Sequence, residues 1–214
     1  MLSIQTIIFQ VIAFLFAITI HEAAHAWMAY RLGDPTAKLS GRLSLNPINH
    51  IDIYGTVLIP LFLIFIGSPF VFGWAKPVIF DPYNLRNPRR DSALISFAGP
   101  ACNFAGAIIF SIILRLMPPI LWLESLLIMT VAINVVLGIF NLVPIHPLDG
   151  GKIFVGLLPA DQADEADYFL KRYGFIILLF LIFPIFGGTS PLFLVLSPII
   201  SFILRILIPG NPIV

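Results

Sequence analysis

Charged residues are scarce in this chain. Asp, Glu, Lys and Arg together make up 11% of its 214 residues, whereas about a quarter is usual in a soluble domain. Apolar side chains take their place: they form 59% of the sequence and give a mean hydropathy of +1.01. These values predict an integral membrane protein. The net charge of +1 gives no sign of a nucleic-acid partner.

Cysteine is almost absent as well. Cys102 is the one cysteine, which excludes an intrachain disulfide. The first apolar run lacks a basic segment before it and a small-residue cleavage site after it, so we expect a retained span rather than a cleaved signal peptide. No polar stretch is long enough to build a second core, and we therefore expect a single domain over residues 1–214.

Long apolar runs predict an all-α, polytopic helical bundle with about five full spans. The runs cover about residues 4–30, 92–117, 121–143, 173–186 and 191–208. A further run, residues 51–72, is broken by glycines and prolines, which favours a re-entrant hairpin, although a sixth full span stays open. With a hairpin there, eleven of the 12 basic residues lie on one side, all except Arg115. The positive-inside rule makes that side cytoplasmic.

Two short stretches between these runs have the pattern of a small membrane-associated β element. In residues 36–50, Leu39, Gly41 and Leu43 alternate with polar side chains before Asn46-Pro47, which is typical of a strand. An amphipathic loop is the alternative. Residues 73–78 have the pattern of another short strand. An edge of this kind would allow a substrate, unwound into an extended form, to pair through Leu39, Gly41 and Leu43.

The strongest chemical signal is His21-Glu22-x-x-His25 inside the first apolar run. Residues four apart lie on one face of a helix, so the two imidazoles can share one Zn²⁺ and leave coordination positions open. Glu22 lies beside that face, where it can accept a proton from a water molecule. Polar groups at this depth cost several kcal/mol unless they are paired or functional. The pattern therefore indicates a zinc site, and buried polar residues satisfied by their neighbours are the less favoured alternative.

Two histidines leave the zinc site short of a ligand. Asp149 is the favoured third ligand, because it follows the fourth apolar run on the same predicted side as the end of the first. Its alternative role is to cap the next helix. The other acids and histidines that we consider are His146, His50, Asp52, Asp81 and Asp91.

Three segments resemble the signatures of the site-2 protease family of intramembrane zinc metalloproteases, in the order of that family. They are His21-Glu22-x-x-His25, Gly99-Pro100-Ala101-Cys102-Asn103 and Asn141-x-x-Pro144-x-x-Pro147-Leu148-Asp149-Gly150-Gly151. The segments 41–47 and 73–77 look similar to a compact prokaryotic branch without PDZ or CBS domains. Many members have a span before the His-Glu span, and this chain does not.

The resemblance implies a function and a division of roles. His21, His25 and Asp149 match the zinc ligands, one Zn²⁺ per chain, and Glu22 matches the catalytic glutamate; Asn103 and Asn141 would lie near the active site. The expected reaction is hydrolysis of a peptide bond in or near the transmembrane segment of a single-span protein in the lipid bilayer. The expected location is the cell membrane, with the active site toward the cytoplasm. The catalytic core would be about residues 4–152, followed by a helix pair at 173–208. A non-enzymatic zinc-binding scaffold or transporter is the alternative.

Overall fold

A computed structural model describes residues 3–65, 73–183 and 189–210 of the chain. These residues form eight α-helices, a π-helical segment and two short 3₁₀ turns. The helices are α1 (Ile4–Arg31), α2 (Thr36–Leu39), α3 (Ile59–Phe65), α4 (Pro88–Leu116), α5 (Leu121–Asn141), α6 (Asp149–Leu157), α7 (Ala160–Ile182) and α8 (Pro191–Leu207), and the π-helical segment is Ile53–Leu58.

The ends of the long helices follow from local sequence signals. The Ser3 side chain accepts the Thr6 N–H at the start of α1, and Gly33 takes a positive φ of 108° just after its end, as glycine readily does. Pro88 opens α4, where the missing proline N–H costs nothing. The Pro118-Pro119 pair separates α4 from α5.

Three of the described helices, α1, α4 and α5, are long and apolar enough to cross a membrane. α4 packs against all of α1, α5 and α6, and it lies at the centre of the bundle. Buried side chains of α4, α5, α7 and α8 form the largest apolar core, which includes Ala107, Val131, Leu178 and Leu196. Large apolar side chains also cover the outside of α1 and α4, for example Val11 and Ile109. The fold is that of a helical membrane protein.

The span count stays a prediction for the last part of the chain. α7 is acidic in its first half, and residues 173–182 of the run predicted at 173–186 form only its second half. α8 is apolar but has 17 residues. The predicted hairpin at 51–72 and the turn between α7 and α8 lie partly outside the described residues.

The strand predicted within residues 36–50 is wrong. Leu39 ends the short helix α2, Gly41 turns the chain with a φ of 71°, and Leu43 lies in an irregular segment. The loop is closed by its own side chains, because the Arg42 guanidinium donates to Asn49 O and His50 Nε2 donates to Ser44 O. The apolar positions of the pattern do not share a buried side, because Leu39 and Leu45 are 82% and 72% exposed whereas Arg42 is buried. The edge required for the predicted pairing through Leu39, Gly41 and Leu43 is not formed.

Candidate metal centre

α1 presents His21 and His25 on its buried side, with 4% and 7% of their surface exposed. His21 Nδ1 lies 2.6 Å from Asn103 Oδ1, and His25 Nδ1 lies 2.7 Å from Ile95 O. Both partners are carbonyl oxygens, which only accept, so each Nδ1 carries the ring proton. Each neutral imidazole therefore turns a lone pair at Nε2 into the space between the helices, as a metal-ligating histidine does.

Asp149, the first residue of α6, completes a triangle of acceptor atoms. Its Oδ2 lies 3.1 Å from His21 Nε2 and 3.2 Å from His25 Nε2, and the two Nε2 atoms are 3.0 Å apart. With both rings neutral, three lone pairs face one another at these distances, and a cation among them removes their repulsion. Ligands of a tetrahedral zinc at about 2.0–2.1 Å lie about 3.3 Å apart. The donor set therefore fits Zn²⁺ and leaves one position open.

Two prolines and two glycines bring Asp149 to this place. The chain turns through Pro144 and Pro147 after α5, and α6 begins directly against the end of that helix. A Cβ on Gly150 would lie 2.2 Å from Val143 O, which no side chain tolerates. The alternative role of Asp149 as a helix cap is wrong, because Leu148 is the N-cap residue of α6 and no side chain caps it.

The remaining acids and histidines from the sequence have other partners. His146 pairs with Asp167 at 3.3 Å, and burial lowers the pKa of its imidazole. His50 donates to Ser44 O. The other three carboxylates accept backbone N–H groups close by in the chain; they are Asp52 (from Gly55), Asp81 (from Tyr83) and Asp91 (from Asn87). Among the described residues, only His21, His25 and Asp149 form a group of this kind.

Glu22 is half-buried beside the two histidines. Its Oε2 accepts a hydrogen bond of 3.1 Å from the backbone N–H of Val78. Val78 lies in an irregular segment, residues 73–81, that the sequence predicted in part as a strand. The carboxylate is thus held at the site by a backbone donor from a distant part of the chain.

Two buried amide side chains form a hydrogen-bonded chain that ends at His21 Nδ1. Asn103, fully buried in α4, accepts from His21 and donates to Ala17 O at 3.0 Å and to Asn134 Oδ1 at 2.9 Å. Asn134, fully buried in α5, donates to Thr130 O. The sequence reasoning missed Asn134, although an amide in the middle of an apolar span was a usable signal. Asn141 donates to Leu137 O in its own helix.

Gly99 leaves room for the imidazoles at the closest approach of α4 to α1. A Cβ at this position would lie 2.4 Å from His25 Nε2 and 2.7 Å from His21 Cε1. The next residue, Pro100, has no N–H to donate to Ser96 O, four residues before it in α4. His25 bonds to the neighbouring carbonyl, Ile95 O. The absence of a side chain at Gly99 therefore gives the two rings their space.

A helical membrane protein with this donor set and an adjacent glutamate has the features of a membrane-embedded zinc hydrolase. Comparison with known proteins agrees. A family model described as "Peptidase family M50" matches residues 119–181. "Putative zinc metalloprotease YwhC" of Bacillus subtilis is 37% identical over 182 residues, which are 81% of this chain and 79% of that protein.

Two mycobacterial relatives carry the name "Putative zinc metalloprotease Rip2". The protein of Mycolicibacterium smegmatis is 27% identical over 180 residues, 82% of this chain and 66% of its own length. The protein of Mycobacterium tuberculosis is 29% identical over 140 residues, 64% of this chain and 52% of its own length. No solved structure matches.

The chain belongs to peptidase family M50, and it is an intramembrane zinc metalloprotease of the site-2 type that uses Zn²⁺. The comparisons favour this protease over the zinc scaffold or transporter that the sequence left open.

Proposed function

We propose that His21, His25 and Asp149 hold the Zn²⁺ and that Glu22 is the catalytic base. The observation that supports the ligand set is the triangle of three lone pairs, 3.0–3.2 Å on each side, with both Nδ1 protons directed to carbonyl oxygens. A zinc ion bound there supplies Lewis-acid chemistry.

The residues of the chain divide the rest of the reaction. Glu22 accepts a proton from the attacking water as its oxygen adds to the peptide carbonyl carbon. It then delivers that proton to the amide nitrogen as the C–N bond breaks. Asn103 and Asn134 keep the His21 ring in the tautomer that leaves Nε2 free. Asn141 is proposed to lie near the active site, on the resemblance alone.

The substrate we propose is a single-span membrane protein, cut in or near its transmembrane segment. His21 and His25 lie in the second half of an apolar helix of 28 residues, so the reaction takes place at membrane depth, toward one face. The distribution of basic residues supports a cytoplasmic location for that face, and the membrane that we propose is the cell membrane. The whole chain acts as one domain.

The test uses the full-length protein and Glu22→Gln. Membrane proteomes of cells that express each form are compared, and we expect at least one single-span protein to accumulate uncut with Glu22→Gln. That protein is then cut in liposomes by wild type, with loss of about 10²–10⁴-fold in rate for Glu22→Gln and loss of cleavage with a zinc chelator. Chelator-resistant cleavage, or full activity of Glu22→Gln with zinc bound, contradicts the proposal.

A further inference from the structure

Residues 73–81 cross the site along one side of Glu22. Three alternate residues, Trp74, Lys76 and Val78, donate their backbone N–H groups to Gly55 O at 3.1 Å, His50 O at 2.9 Å and Glu22 Oε2 at 3.1 Å. Alternate residues face the same side of an extended chain. One edge of the segment therefore binds residues 50–55 through the N–H groups of Trp74 and Lys76, and the same edge donates to Glu22 through the N–H of Val78.

The first end of this bridging segment (residues 73–81) is fixed to the π-helical segment. Thr56 Oγ1 donates to Trp74 O at 2.7 Å. The Trp74 ring lies directly on Gly55, where a Cβ would be 2.3 Å from the ring. His50, whose carbonyl accepts from Lys76, is 1% exposed and is itself held by Ser44. These contacts fix the path of the backbone as far as Lys76, two residues before Val78.

The second end is fixed by Asp34, which is fully buried just after α1. Its Oδ2 accepts the Asp81 N–H at 2.8 Å, and its Oδ1 accepts from the Asn84 amide at 2.7 Å and from Thr36. Burial acts to raise the pKa of the Asp34 carboxyl, but the hydrogen bonds from Thr36, Asn84 and Asp81 outweigh it and lower that pKa. An ionised Asp34 thus joins the bridging segment to the helix that carries Glu22.

Phe80 adds a third attachment. Its ring packs with a small apolar cluster that includes Ala29 and Ile95, and Lys152 Nζ lies 4.6 Å from the ring centroid. Lys152 is one turn after Asp149 in α6. The bridging segment is therefore attached both to the helix of Glu22 and to the helix of Asp149.

We propose that the bridging segment positions the catalytic carboxylate: the Val78 N–H orients Glu22, and Asp34 is a positioning residue that holds the segment in place. This rests on the proposed role of Glu22. A glutamate side chain has several free torsions, and a bond to a fixed backbone donor removes that freedom before substrate arrives. A backbone N–H is suited to the task because it donates at every pH.

The main test replaces Val78 by proline, which has no N–H. Ile79→Pro is the matched control, because it puts the same residue one position along, where the side chain is 70% exposed. The alternation of an extended chain turns the N–H of this residue to the other edge. A hydrogen bond to a charged group is worth enough to predict a loss of about 10- to 100-fold in kcat for Val78→Pro. KM and zinc content should stay close to wild type, and Ile79→Pro should keep most of its activity.

A binding measurement separates orientation of Glu22 from general damage. A hydroxamate probe carries an O–H that donates to the carboxylate beside the metal, whereas a simple thiol probe needs only the metal. Val78→Pro should weaken the hydroxamate about tenfold or more and leave the thiol unchanged. In a Glu22→Gln background the same proline should have no further effect on the hydroxamate, because the group it acts through is gone.

Asp34→Asn tests the positioning of Glu22 from the other end of the bridging segment. The amide keeps the size of the side chain but has one acceptor oxygen in place of two, so the hold on Asp81 weakens. We expect a smaller loss of kcat, retained zinc and a selective loss of hydroxamate affinity. If Val78→Pro does not fold, this variant alone decides the proposal.

Three results would overturn the inference. If Val78→Pro weakens hydroxamate binding equally in the wild-type and Glu22→Gln backgrounds, the role of the Val78 N–H is structural only. A rise in kcat on replacing Val78 would show that the segment blocks the site. Normal kcat and hydroxamate affinity in both Val78→Pro and Asp34→Asn would remove the positioning role while Glu22 remained the base. Full activity of Glu22→Gln would instead overturn the proposed function, and the inference with it.

Discussion

Gly99 and His25 lie so close that a single methyl group on the glycine would reach 2.4 Å from the Nε2 atom of the ring. The ring has little room to retreat, because its Nδ1 is bonded to Ile95 O at 2.7 Å. The spacing of α1 and α4 at the metal centre therefore depends on the absence of a side chain at residue 99.

Gly99→Ala is predicted to abolish zinc binding and activity. Gly106→Ala is the control in the same helix, since its Cβ would meet the flexible end of Ile20 at 3.1 Å, and both changes bring the same gain in helix propensity. Zinc content of the two purified proteins is the measurement. A fully zinc-loaded Gly99→Ala protein would contradict the assigned geometry.

The proposed ligand set predicts which variants lose zinc and which keep it. His21→Ala and Asp149→Ala each remove one corner of the triangle of acceptor atoms and should strip the zinc, whereas Glu22→Gln should keep it. His146→Ala, which changes a histidine outside the triangle, should also keep it. Metal analysis of the four variants measures their zinc content. Full zinc in Asp149→Ala would show that Asp149 is not a ligand.

Asn103→Ala should lower zinc affinity about 10- to 100-fold, the usual cost of losing the partner of a metal-ligating histidine. The reason is that His21 Nδ1 loses its acceptor at 2.6 Å and the ring is no longer held in one tautomer. Asn141→Ala removes an amide that bonds within its own helix and should leave the affinity unchanged. Competition with a chelator of known affinity measures both, and equal affinities would show that Asn103 does not act on the site.

The depressed pKa of Asp34 predicts acid sensitivity. A carboxyl whose pKa is lowered on folding stabilises the protein fully above its unfolded value, near 3.8, and this stabilisation is lost as the pH falls through the folded pKa. The gap in melting temperature between wild type and Asp34→Asn should therefore be largest near neutral pH and should shrink below about pH 3.8. A gap that is independent of pH would mean that the charge of Asp34 does not contribute.

The topology predicts which positions face the cytoplasm. Single cysteines in place of Lys38, Lys76 and Lys152, in a Cys102→Ser background, should be labelled by an impermeant reagent from the cytoplasmic side only. Arg115→Cys, at the opposite end of α4, should be labelled from the outside. If residue 76 reacts from outside and residue 38 from inside, the run 51–72 crosses the membrane completely and the predicted hairpin is wrong.

The sequence was sufficient for features that depend on near neighbours in the chain. A spacing of four places His21 and His25 on one face of any helix, and long apolar runs form helices in a membrane because every backbone group must be bonded internally. The helices predicted at 4–30, 92–117 and 121–143 are present as α1, α4 and α5. The same local reasoning failed in residues 36–50, where Arg42 and His50 bond to the loop's own carbonyls and alternation alone could not reveal it.

Tertiary structure decided the contacts between residues that are far apart in sequence. Asp149 lies 128 residues from His21, and the sequence could favour it over the other acids only through the predicted topology and the family resemblance. The protonated Nδ1 atoms, the role of Asn134 and the donation from Val78 to Glu22 all depend on how α1, α4, α5 and the bridging segment pack. The physical reason is that hydrogen bonds and metal coordination act over about 3 Å, so they are determined only when the packed helices bring the groups together.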